Sequence, residues 1–412
     1  MFDLFKKVST DAKTKLTDAD IKKIEDTYGI VFGKENAASK DALQVTENIA
    51  IPYKNTKGNT NILAVGPSGS GKTHNFMLPN ILKASGSYII IDPNKALLTD
   101  SINVLQENGY TIKIMDFENP KHSETYNPFA NCKDDTDVQS LVECLLKNTN
   151  SWDKSSDPFF ESTEKAFLNA LFLYVFHYYT AAKQTLYAVY DLCRTALEDE
   201  EKFAKIFEDI RATDINMDLI HFYDTFKAVP KKTATSICLS TAVRLDFVNA
   251  ENSLCNTNTI DFEEISHQKT AIFLSGFGRL IAQNKLVPMF CMQALHTLLK
   301  DKPNNHVTIM LDELPNIGYI PDFLHMLTKM SGSNLSVLMS LQSINQMEML
   351  YVGATKLLKY LCETIVYFGN TLNTEMPVYA TQTTVNLQQD ECLVLMQDKF
   401  SMVGKKINVS EV

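Results

Sequence analysis

Short apolar runs bounded by turn residues recur along the chain: NILAVG (61–66), YIIIDP (88–93), TIKIMDF (111–117), TAIFLSG (270–276), VTIMLDE (307–313), SVLMSLQS (336–343) and TIVYFGN (364–370). Runs of this length and composition are read as buried strands. Several are separated by segments long enough to hold a helix. That pattern predicts an α/β fold with a largely parallel central sheet, because parallel neighbours need a crossover between them. The stretch ECLVLMQDKFSMVGKKINV (391–409) reads instead as two closing strands.

Between about 130 and 255 the strand signals vanish and apolar positions step by three or four. Phe160, Thr163, Phe167, Ala170, Leu171, Tyr174 and Tyr178 share one helical face, with Asp157 placed to cap and Pro158 in the first turn. Such an aromatic stripe is read as core. In LEDEEKFAKIFEDI (197–210) charges flank a spaced apolar set, the pattern of a helix with one solvated face. The chain thus divides into a sheet domain, residues 51–130 with 256–412, and an all-α domain inserted at 131–255. Residues 1–50 are weakly patterned and unassigned.

Composition narrows the class. Net charge is −10, and of 39 basic residues four are arginine (Arg194, Arg211, Arg244 and Arg279). The whole-molecule field repels a polyanion, so any contact with nucleic acid has to be local. The longest greasy segment, AFLNALFLYVFHYY (166–179), is shorter than the roughly 20 apolar residues that cross a bilayer. The N-terminal Phe2, Leu4 and Phe5 beside Lys6 and Lys7 read as a frayed or helix-starting end rather than a membrane contact, and a cytoplasmic chain is expected. The eight cysteines never fall at C-x-x-C spacing, which argues against zinc and redox roles.

The chemistry lies in GPSGSGKT (66–73), a match to G-x-x-x-x-G-K-S/T between an apolar strand and a helical segment. Gly66, Gly69 and Gly71 allow backbone conformations closed to residues with a Cβ, so that the N–H groups of Gly66, Pro67, Ser68, Gly69, Ser70, Gly71, Lys72 and Thr73, proline excepted, can cradle phosphate. Lys72 adds a point charge toward the β- and γ-phosphates, and Thr73 a hydroxyl for Mg²⁺. Pro79 is expected to interrupt and bend the following helix. A second element, VTIMLDELPNIG, ends a strand on Asp312, placed for the water shell of Mg²⁺, and Glu313, placed to polarise an attacking water. Gln342 closes the next apolar strand, either to sense a γ-phosphate or simply as a polar residue leaving a sheet.

Taken in order, NILAVGPSGSGKTHNFMLPNIL, YIIIDPNKALLTD, YNPF, DPFFESTEKAFLNAL, LDELPNIGYIPDF and SLQSINQMEMLY resemble the TraG/TraD-type coupling ATPases of conjugative type IV secretion systems, from about residue 60 to the end. The resemblance implies a RecA-like P-loop NTPase domain interrupted by an all-α substrate-recruitment domain, with ATP and Mg²⁺ as cofactors. It places Lys72, Thr73, Asp312, Glu313 and Gln342 in the nucleotide site. It further implies a hexameric ring that recruits relaxase-bound single-stranded DNA or protein substrates. The ring would feed them to the ATPases and membrane components of the secretion channel, at the inner face of the plasma membrane.

The chain departs from the family pattern in three places. It shows no transmembrane hairpin. It reads Asp92-Pro93-Asn94-Lys95-Ala96 where the family commonly has Asp-Pro-Lys-Gly-Glu. It also has Ser331-Gly332-Ser333 in place of an Arg-Ser-Arg stretch suited to act on a neighbour's ATP. Lys329, Arg279 and Arg244 are the replacement candidates for that arginine, with a salt bridge to Asp246 or a neighbour as the plainer role of Arg244. Competing functions are a nucleotide-regulated receptor or adaptor with weak hydrolysis, an FtsK- or HerA-type translocase and, last, a small-molecule kinase.

Overall fold

Side chains alternate faces along a strand, so an apolar run without polar interruption needs a packed layer on each side of its sheet. The computed structural model supplies both layers; it describes residues 18–55, 59–149, 157–213, 217–248, 253–278, 285–369, 371–372, 385–396 and 400–411. Near the N-terminus a small antiparallel sheet holds β1 (Val31–Phe32), β2 (Ala42–Thr46) and β3 (Ile49–Pro52) in the order β1-β3-β2. The main sheet contains β4 (Ile62–Val65), β5 (Ser87–Asp92), β6 (Thr111–Asp116), β7 (Thr270–Ser275), β8 (Val307–Leu311), β9 (Leu335–Leu341) and β10 (Thr364–Phe368). A short pair, β11 (Thr371–Leu372) and β12 (Val385–Asn386), precedes β13 (Glu391–Met396) and β14 (Phe400–Lys405).

The nine-stranded order is β14-β13-β10-β4-β9-β8-β5-β7-β6. Every pairing from β10 to β6 is parallel, whereas β13 and β14 close the sheet antiparallel. All the strands expected from the apolar runs form, including the closing pair. Their alternation is visible in the packing: Leu63, Ile89, Ile91, Ile309 and Leu311 belong to one core, and Ile62, Ala64, Tyr88, Ile90 and Met310 to the other.

The first of these cores is shared with the helices. Those between β6 and β7 run Asp135–Thr149, Pro158–Tyr178, Leu186–Glu198, Glu200–Thr213, Met217–Lys227, Lys231–Arg244 and Ser253–Asn256. Asp157 caps the longest by accepting from Phe159 N–H at 3.0 Å, as its position suggested. Thr163, Phe167, Ala170 and Leu171 are buried on the expected stripe, but so are Leu168, Phe172, Leu173 and Val175. This helix is surrounded rather than one-sided. Phe226 stacks on Phe167 at 4.2 Å and Phe129 on Phe172 at 5.5 Å, so aromatic neighbours cover faces that a surface helix would leave to water. The charged run at 197–210 spans a break at Asp199 between two helices, and Phe203, Phe207 and Ile210 form its buried side.

The second core is covered by the helices Asp18–Tyr28, Leu78–Leu82 and Ala96–Glu107 and by the small sheet. Asn80 splices that sheet onto the helix after the phosphate loop: it accepts from Gln44 N–H at 2.8 Å and donates to Gln44 O at 2.9 Å, a side-chain imitation of a strand ladder. Among the described residues no helix is long and apolar enough to cross a membrane. Phe2, Leu4, Phe5, Lys6, Lys7 and Arg279 lie outside the described residues.

Candidate active site

The phosphate loop leaves the C-terminal end of β4, flanked by β10 and β9, so three strand ends surround it. Gly71 has φ +102°, and its backbone needs glycine. Gly66 needs it for a different reason from the one expected: a Cβ there would come within 2.4 Å of Phe368 O on β10. Beyond the loop the chain enters a π-helical turn, Thr73–Met77, before the short helix Leu78–Leu82. Pro79 has no N–H to return to Asn75, and Leu78 N–H instead reaches back to Thr73 O, widening the turn where the sequence predicted a bend.

Lys72 is buried and donates to Gly66 O at 2.5 Å and to Pro67 O at 2.9 Å. Burial lowers its pKa, and the nearby Asp312 and Glu313 carboxylates work against that shift. Thr73 Oγ1 donates to Asp312 Oδ2 at 3.0 Å. Ser340 on β9 completes the group, donating to Asp312 Oδ1 at 2.6 Å and accepting from Glu313 N–H at 2.8 Å. Glu313 adopts a left-handed backbone, φ +53°, and its Oε2 receives Asn316 Nδ2 at 2.7 Å. A non-glycine residue held there is strained, and strain of this kind persists where surrounding structure over-determines it. Here the Ser340 and Asn316 bonds do so. Asn316 belongs to the DELPNIG stretch that follows the strand, and its bond to Glu313 gives that position a physical purpose.

Lys72, Thr73, Asp312 and Glu313 therefore meet in one place, as the motifs predicted they would. Gln342 follows directly on β9 and is exposed, beside the site but outside its hydrogen-bond chain. Ser340 was missed by sequence reasoning; its one signal is a hydroxyl near the end of an otherwise apolar strand. Asp92, at the end of β5, is buried and accepts from Ala96 N–H at 3.1 Å and Leu98 N–H at 2.9 Å. Burial pushes its pKa up to about 6, opposed by the Leu98 N–H and reinforced by Asp312. Lys95, from the departing Asn94-Lys95-Ala96 stretch, turns toward the sheet edge and pairs with Asp116 and Glu118, each at 2.8 Å.

A family model for type IV secretory system conjugative DNA transfer matches residues 12–382. The chain belongs to that family. No curated protein sequence is significantly similar to it. Among solved structures, the plasmid coupling protein TrwB in complex with the non-hydrolysable ATP analogue ADPNP is similar at a TM-score of 0.67 and 14% identity, over 92% of this chain and 93% of that one. TrwB in complex with ADP and Mg²⁺ gives 0.65 and 14%, with the same coverage. VirB4 of Thermoanaerobacter pseudethanolicus gives 0.54 and 13%, over 87% and 94%. At such identities the likeness shows the fold, a P-loop α/β architecture with helical additions.

Within this conjugative-transfer chain the three arginines among the described residues are already engaged. Arg244 Nε and Nη2 donate to the two carboxylate oxygens of Glu164 at 2.7 and 2.8 Å, and Nη1 donates to Thr149 Oγ1 at 2.6 Å. Its side chain is 12% exposed and held on three sides, the geometry of the plainer structural role rather than of a residue free to act on a neighbour's nucleotide. Its partner is Glu164 rather than Asp246, which pairs with Lys285 at 3.5 Å. Arg194 and Arg211 pair with Glu198 and Asp224. Lys329 is exposed at the C-terminal cap of the helix Phe323–Thr328, which precedes β9.

Proposed function

We propose that this chain is the ATP-hydrolysing coupling protein of a conjugative type IV secretion system. In this reading it recruits relaxase-bound single-stranded DNA or protein substrates and delivers them to the channel ATPases and membrane components at the inner face of the membrane. The observation that supports it most is the connected set Thr73, Asp312, Ser340 and Glu313 beside the phosphate loop. The donor set suits Mg·ATP: a hydroxyl and a carboxylate 3.0 Å apart, a buried lysine, and a Ser70 Oγ buried without a hydrogen-bond partner. Thr73 and Asp312 would hold Mg²⁺, which when bound supplies charge neutralisation at the phosphates. Lys72 would exchange its two loop carbonyls for phosphate oxygens. Glu313, aimed by Asn316, would polarise the attacking water, and Gln342 would sense the γ-phosphate from the edge of the site.

The fold layout favours residues 51–130 and 256–412 as the RecA-like motor domain and 131–255 as the all-α recruitment domain. Asn148 ties the two together, donating to Tyr319 O at 2.8 Å and accepting from Tyr319 N–H at 2.7 Å, within the block that follows Glu313. In a hexameric ring Lys329 would be the residue that acts on a neighbour's nucleotide.

The test is steady-state ATP hydrolysis against protein concentration, with and without single-stranded DNA, beside Glu313→Gln. Turnover that rises with concentration and DNA and vanishes in Glu313→Gln is expected, with Lys329→Ala lowering it only where rings form. A second reading, a nucleotide-regulated receptor with weak hydrolysis, draws support from the engagement of Arg194, Arg211 and Arg244 in ion pairs. Mg·ATP binding without turnover in an assembled ring would favour it over the first.

A further inference from the structure

The outer side of the phosphate loop is held by the segment that follows β14. Lys406 Nζ donates to Ser70 O at 3.0 Å and to Gln389 O at 2.6 Å, while its backbone N–H donates to Asp390 O at 2.7 Å. The ammonium also lies 5.8 Å from the centroid of the Phe368 ring, on the strand whose carbonyl backs Gly66. Lys406 is thus fixed at both its backbone and its side chain before it reaches the loop. Next to it, Ile407 O accepts from Asn75 Nδ2 at 3.0 Å, and Asn75 N–H donates to Gly71 O at 2.7 Å.

A trans peptide is planar, and its C=O and N–H point in opposite directions. Turning the Ser70 carbonyl out to Lys406 therefore turns the Gly71 N–H in. Turning the Gly71 carbonyl toward Asn75 does the same for the Lys72 N–H. These two successive N–H groups stand in the part of the loop that cradles phosphate, and Gly71, at φ +102°, is the residue least able to hold one orientation unaided.

Resting on the nucleotide-site reading above, we infer that Lys406 is a positioning residue for nucleotide binding, orienting the Ser70–Gly71 peptide so that the Gly71 N–H faces the phosphates. It touches no substrate; it acts through a carbonyl on the loop's outer side. The sequence carries no motif for it, since the contact joins positions 336 residues apart. An N–H aimed at a phosphate that is retained throughout the reaction strengthens ground state and transition state alike, so its loss raises KM and leaves kcat nearly unchanged.

The experiment measures Mg·ADP affinity by calorimetry, and KM and kcat for ATP, in the full chain and in Lys406→Met and Lys406→Arg. Melting of the nucleotide-free proteins is followed alongside. Lys406→Met should weaken Mg·ADP binding and raise KM about tenfold, the size expected for a hydrogen bond to a charged group. Its kcat should stay within about twofold, its melting should be unchanged, and Lys406→Arg should restore most of the affinity. Wild-type affinity in Lys406→Met would overturn the inference, as would a loss that follows lowered melting and is not rescued by arginine. A wild-type chain that binds no Mg·ADP would instead overturn the nucleotide-site reading, and this inference with it.

Discussion

Replacing Arg244 by alanine separates a structural cation from a catalytic one. Glu164 is 0% exposed and both of its oxygens are taken by the guanidinium, whose own side chain is 12% exposed. Deleting the guanidinium strands a carboxylate in the interior without a counter-charge, which costs about 3–5 kcal/mol. Thr149 loses less, because its hydroxyl still donates to Leu145 O at 2.6 Å. Against a domain stability of about 5–15 kcal/mol the loss is large. Because most of it comes from the orphaned charge, the double variant Arg244→Met with Glu164→Leu should recover the greater part. The assay is the urea midpoint by circular dichroism, with ATP turnover scored per folded molecule in the same samples. Arg244→Ala should unfold at markedly lower urea while its folded fraction turns over within about twofold of wild type. A variant of unchanged stability whose turnover has dropped by several powers of ten, as when an arginine finger is lost, would refute the reasoning.

Ser340→Ala removes a donor to Asp312 and an acceptor for Glu313 N–H while leaving every recognised motif intact; turnover should fall about ten- to a hundredfold, the range for hydrogen bonds to charged groups, and steady-state kinetics would show it. Asp92 has a folded pKa of about 6 against an unfolded 3.8, so between these values the native state binds the extra proton. Stability should therefore decline as pH rises from about 4 to 6. The shift of roughly two units corresponds to about 3 kcal/mol, and urea titrations should find this pH-dependent loss missing in Asp92→Asn.

Much of this protein is local information. The inner parallel strands are largely apolar runs, because a strand covered on both faces has no solvated side to alternate with, and such runs are legible one at a time. The edge strand β6, with Lys113 at its middle, is the mixed one. The phosphate loop is equally local, since glycine permissiveness and the lysine and threonine chemistry act within eight consecutive positions. The Asp157 cap and the irregularity at Pro79, a widened turn in place of the expected bend, follow from the residue and its immediate neighbours. Gly66 was legible as a glycine but not in its cause, which is a carbonyl from β10.

What the linear pattern did not contain are contacts whose partners are chosen by topology. Ser340 reaches Asp312 only because β9 lies beside β8 in parallel register, with Leu311 opposite Met339. Arg244 meets Glu164 across two helices, and that buried pair, rather than the neighbouring Asp246, decides its role. The stripe on Pro158–Tyr178 marked one face, yet the helix is buried on others as well, because the sheet and its fellow helices enclose it. Lys406 is one more lysine among many until the antiparallel closing strands bring it against Ser70. In each case the residue's chemistry was present from the start. Its partner was set by strand order and packing, which depend on the whole chain burying its apolar surface at once.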